Sequence, residues 1–94
     1  MEAHVYVISC LDPGVSERYI GYTTNFEKVL EVHRDDHSIP HNLNTFLYRF
    51  ILGHGGWENW EHTIIGTYGS RDEAKFVKEQ MLLKYEFQLN TYNV

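Results

Sequence analysis

Apolar positions along the chain change period several times, and each change marks an element. His4-Val5-Tyr6-Val7-Ile8-Ser9 is a run of β-branched and aromatic residues and predicts a first strand. Asp12-Pro13-Gly14 reads as a turn, and Glu17-Arg18-Tyr19-Ile20-Gly21-Tyr22 as a second strand, so the chain opens on a β-hairpin with a long loop. Thr24 or Asn25 is a helix cap. Phe26, Val29, Leu30 and His33 follow at helical spacing, with an end near Asp36 because Ser38-Ile39-Pro40 cannot continue the helix. Asn42 or Asn44 starts a second helix whose apolar stripe is Leu43, Phe46, Leu47 and Phe50, closed by Gly53-His54-Gly55-Gly56. Residues 60–68 predict a third strand. Ser70 and Glu73 then have capping-box spacing ahead of a helix carrying Ala74, Val77, Met81, Leu82 and Tyr85. The order β-β-α-α-β-α predicts an α+β domain: a small three-stranded, mainly antiparallel sheet flanked by about three helices.

Composition narrows this picture. Ninety-four residues make one domain, 1–94, with no space for a separate recognition domain. No apolar run approaches the roughly 20 residues that cross a membrane. Cys10 is the single cysteine, so an internal disulfide is impossible, and with no basic stretch leading into an apolar segment the expected setting is intracellular. A net charge of −5 opposes tight non-specific binding to a polyanion unless the basic residues cluster on one face.

Val5-Tyr6-Val7-Ile8 followed by Tyr19-Ile20-Gly21 resembles the two halves of the GIY-YIG nuclease signature. A lone Tyr-Ile-Gly would mean little. The rest of the chain repeats the family's order: a helix, a second helix with Gly-Gly-Trp-Glu-Asn-Trp at 55–60, a strand, a helix with Glu79, and a closing Leu89-Asn90. The 55–60 segment looks most like members from large DNA viruses and phages. The resemblance implies hydrolysis of DNA phosphodiesters by a nuclease using a divalent metal, Mg²⁺ or Mn²⁺. It matches Tyr6 to a tyrosine that helps deprotonate the attacking water and Tyr19 to one beside the scissile phosphate. Gly21 matches the motif glycine where the backbone passes close to the site. His33 matches a frequent helix histidine, Glu79 the single metal-binding glutamate, and Asn90 an asparagine that organises the site. His4 stands where the motif has glycine. Val29, eight residues after Gly21, stands where the family has a phosphate-contacting arginine.

Phosphodiester hydrolysis needs an activated water, stabilised charge on the phosphate and help for the leaving oxygen. One glutamate suffices for a Mg²⁺ that keeps most of its waters and completes its shell on substrate. Valine offers no guanidinium, and losing one donor to the developing charge costs about 10² to 10³ in rate. Lys28, Arg34 and Arg49 are candidate replacements for phosphate binding, and a protonated His33 is another.

Blander readings stand beside these. His33, His37 and His41 recur every four residues, but Pro40 breaks their helix and nothing completes a zinc site. Trp57 and Trp60 could stack bases, yet aromatics in so short a chain more often pack a core. The sequence therefore leaves two functions open, a DNA endonuclease and a binding module that kept the fold without the reaction. A homodimer cutting two strands is a third, weaker idea.

Overall fold

A computed structural model describes residues 1–36 and 46–84. Strands β1 (Ala3–Cys10) and β2 (Arg18–Thr23) form the expected hairpin. Helices α1 (Phe26–Asp36) and α2 (Phe46–Gly53) follow, then a single 3-10 turn (Trp57–Asn59), strand β3 (Trp60–Tyr68) and helix α3 (Arg71–Leu82). The sheet order is β2-β1-β3, antiparallel throughout. This is the α+β architecture that the periodicity predicts. The expected start of the second helix at Asn42 or Asn44, and the contribution of Tyr85 to the last one, lie outside the described residues.

Local chemistry accounts for the boundaries. Asn25 is the cap of α1, its Oδ1 accepting from the Lys28 amide at 3.1 Å, while its own amide donates to Thr23 Oγ1 at 3.0 Å. Ser70 caps α3, its Oγ accepting from the Glu73 amide at 3.2 Å. Past α2 the chain turns back through Gly55 and Gly56, both with φ in the left-handed region (97° and 78°) that side chains resist.

The strands alternate between two cores. Tyr6 and Ile8 point to the face covered by α1 and α2, where they bury with Leu47, Ile51 and Trp60. Ala3, Val5, Val7 and Ile20 point to the other face, onto Ala74 of α3 with Val77, Met81 and Leu82 around it. Full burial of side chains such as Ile8, Ile20, Leu47 and Ile51 contributes about 1.5–3 kcal/mol each.

One irregularity serves both cores. Val5 pairs with Gly66 but Tyr6 with Ile64, so Ile65 is an extra residue on β3. Strict alternation would put all even-numbered positions of β3 on one face. The bulge changes phase, so Tyr68 packs toward α3 while Trp60 buries with Tyr6.

Candidate active site

The centre of the α1/α2 face is a set of rings held by the two hairpin strands and both helices. Tyr6 and Gly21 are cross-strand partners, and the Tyr6 ring lies over Gly21. A Cβ built on Gly21 would fall 2.4 Å from Cζ and Oη of Tyr6. The sequence suggests that the backbone needs this glycine to pass a site; in the folded protein it is a mid-strand hollow that the tyrosine fills. Tyr19, two residues back on β2, brings its ring to 6.3 Å from that of Tyr6.

His33 lies in the last turn of α1 and bonds at both ring nitrogens. Nε2 is 3.3 Å from Tyr6 Oη and Nδ1 is 2.9 Å from Tyr48 Oη. Tyr19 meets the imidazole edge-on at 5.8 Å, and Trp57 lies roughly parallel to it at 6.4 Å. Trp57 stacks in turn on His62 at 4.3 Å. Burial holds the His62 imidazole below its usual titration range, an effect opposed by the neighbouring Glu61 charge. Its Nε2 is buried with no hydrogen-bond partner among the described residues.

The phenols titrate far from where a base would. Burial is the largest cause holding the Tyr6 proton on well above the usual tyrosine range, and the nearby Tyr19 and Tyr48 phenols add to it. Tyr19 is also pushed up by burial, against a lowering from its hydrogen bond with Tyr6. A base role for Tyr6 would need a perturbation in the other direction.

Val29 sits half-buried against the cluster of Tyr6, Ile8, Leu47, Ile51 and Trp60, so hydrocarbon fills the position where the sequence resemblance expects an arginine. Lys28, Arg34 and Arg49 are all exposed. Arg34 is the one of the three that lines a groove beside the rings, an open hollow of about 390 Å³ shared with Glu27, Leu30, Glu31, Trp57 and His62. Its contact with Asp35, 3.4 Å between exposed groups, is worth little in water. His4 is half-buried, with Nδ1 2.9 Å from Thr67 Oγ1, so β3 gives it a partner.

Glu79 is exposed on α3, the helix that covers the opposite face of the sheet from Tyr6. Asn90, His37 and His41 lie outside the described residues. Among the described residues no group of three or more acidic, histidine or cysteine side chains is placed to hold a metal. An exposed lone carboxylate fits a hydrated Mg²⁺ whose remaining ligands come from substrate, and does not fit a closed all-protein cage. The basic side chains divide between faces: Arg71, Lys75, Lys78 and Lys84 lie on or just past α3, where Arg71 and Lys78 sit 5.6 Å and 5.1 Å over the Tyr22 ring.

Sequence reasoning missed Tyr48 and underread Trp57. Tyr48 stands one position off the apolar stripe of its helix, which is the one signal it gave. Trp60, with 3% of its surface exposed, is core as expected, whereas Trp57 joins the ring set.

A three-stranded antiparallel sheet flanked by helices is the architecture of a GIY-YIG nuclease fold. The GIY-YIG catalytic domain family model matches residues 2–93, and the chain belongs to that family of nucleases, which generally depend on a divalent metal and act on DNA. No curated protein and no solved structure matches the chain. Among the described residues, no helix is long and apolar enough to cross a membrane.

Proposed function

We propose that the protein is a metal-dependent DNA endonuclease in which His33 is the proton acceptor, Tyr6 relays the proton, and Arg34 supplies phosphate-holding charge in place of an arginine at Val29. The observation that carries this reading is the Tyr6 Oη–His33 Nε2 contact at 3.3 Å. Buried and held protonated, Tyr6 has one O–H within reach of both Tyr19 and the imidazole, and in the reacting arrangement it goes to His33 Nε2. As the attacking water passes a proton to Tyr6 Oη, the Tyr6 proton moves to His33 Nε2, so no tyrosinate forms. The hydroxide attacks phosphorus, the P–O bond to the leaving group breaks, and that oxygen takes a proton from solvent. His33 ends as an imidazolium close to the phenols, which places positive charge where Val29 offers none. Tyr19, beside Tyr6, is positioned to donate to a phosphate oxygen. Glu79 would hold the divalent ion, which when bound would stabilise charge on the phosphate and leaving oxygen; this role comes from the family resemblance, since Glu79 lies on the helix that covers the face opposite Tyr6.

The test is cleavage of plasmid and branched DNA with Mg²⁺ or Mn²⁺ by wild type, His33→Ala, Arg34→Ala and Glu79→Ala. Wild type is expected to cut, and His33→Ala and Glu79→Ala to lose at least about 10² in rate. If wild type binds DNA without cutting it under any of these conditions, the second reading, a binding module on a nuclease fold, replaces the first. The apolar packing of Val29 is the observation that favours that alternative.

A further inference from the structure

Tyr6 occupies one nitrogen of His33, and the other is occupied by Tyr48, a residue on α2. We infer that Tyr48 is a positioning residue that holds His33 as its Nδ1–H tautomer, with the Nε2 lone pair aimed at Tyr6. The inference rests on the endonuclease reading, which sets the direction of the relay and with it the tautomer; the tautomer is read without DNA, so the two can fail separately.

The geometry leaves two consistent proton arrangements. Either Tyr6 donates to Nε2 and Nδ1–H donates to Tyr48, or Tyr48 donates to Nδ1 and Nε2–H donates to Tyr6. The first sets the relay in the direction hydrolysis needs, because only an unprotonated Nε2 can accept. The Tyr48 contact is also the shorter, 2.9 Å against 3.3 Å, which places the stronger anchor on the side away from the reaction. Among the described residues, groups that touch the imidazole from other elements include Tyr6 of β1, Tyr19 of β2, Tyr48 of α2 and Trp57 of the 3-10 turn. Of these, Tyr48 is the one that bonds Nδ1. A fixed acceptor there selects the tautomer, stops the ring from rotating and stabilises the imidazolium formed during turnover.

Tyr48 is only half-buried, and Tyr48→Phe keeps the ring while removing the acceptor oxygen. The experiment pairs two readouts. Nitrogen-15 NMR of the His33 imidazole is expected to show the Nδ1–H form in wild type and a shift toward Nε2–H in Tyr48→Phe. Steady-state cleavage by Tyr48→Phe is expected to show kcat lowered roughly 10-fold at little changed KM. The acid limb of its pH profile should move to lower pH, since the imidazolium has lost its acceptor. A wild-type His33 found in the Nε2–H form overturns the inference without any variant, which keeps the test intact if Tyr48→Phe fails to fold. So does a Tyr48→Phe enzyme with unchanged tautomer and unchanged kcat. Should wild type prove inert on DNA while Tyr48→Phe still shifts the tautomer, the positioning role is supported and the endonuclease reading is what fails.

Discussion

At the scale of single residues, the site depends on the missing Cβ of Gly21 and on the hydrocarbon of Val29. Gly21→Ala would place a methyl inside the Tyr6 ring. Because Tyr6 is buried, its ring cannot swing to solvent cheaply. The expected cost is about 1–3 kcal/mol in chemical denaturation, with cleavage lost as Tyr6 leaves His33. A fully stable Gly21→Ala protein with normal activity would disprove this packing account. Val29→Arg separates two opposing effects. If it carries its guanidinium to the phosphate, cleavage should rise by up to about 10²-fold. Displacing a half-buried valine from the Tyr6 cluster should at the same time lower thermal stability by a few degrees. An inert wild type that gains cleavage in this variant would mark a site intact except for its arginine.

Among the elements, β3 is where the geometry is most tightly set. Its bulge at Ile65 lets one strand serve two cores, sending Trp60 to Tyr6 and Tyr68 to α3. Deleting Ile65 restores regular pairing without changing partners: Ile64 stays opposite Tyr6 and Gly66 opposite Val5, so Trp60 and Tyr68 keep their faces. The deletion protein is therefore expected to keep native-like circular dichroism and amide NMR dispersion; an unfolded deletion protein would show that the bulge itself is needed. Replacing Ile65, half-exposed at 45%, by threonine keeps the residue count and should be tolerated within about 0.5 kcal/mol.

For the molecule as a whole, the buried phenols tie folding to alkaline pH. Tyr6 and Tyr19 have folded-state pKa values raised above the ordinary 10.0 by burial. Their protonated forms are favoured by the fold, so this stability is fully present below about pH 10. It is lost as pH rises toward the folded values, because the unfolded chain ionises first. Each phenol contributes a slope of about 1.4 kcal/mol per pH unit in that window. Urea melts between pH 9 and 11 are expected to show a steep fall in stability that becomes shallower in Tyr6→Phe. A slope equal in both proteins would show that Tyr6 is not the responsible group.

How much of this was legible in advance follows from range. Strand and helix periods, the Asn25 and Ser70 caps and the turn at Gly55 and Gly56 depend on neighbours a few residues apart, so the chain order declared them. The tyrosines, the motif glycine and the histidine at its helical spacing were likewise readable, because they follow a linear pattern. That pattern determined the family and the architecture. The tertiary structure decided what these groups do to one another. Alternation along β3 gave no hint of a bulge, since bulges arise from pairing with β1. The upward push on the Tyr6 phenol, opposite to what a base would need, comes from burial among side chains far away in sequence. Tyr48 belonged to no motif, and only the packing of α2 against α1 brings its hydroxyl to His33.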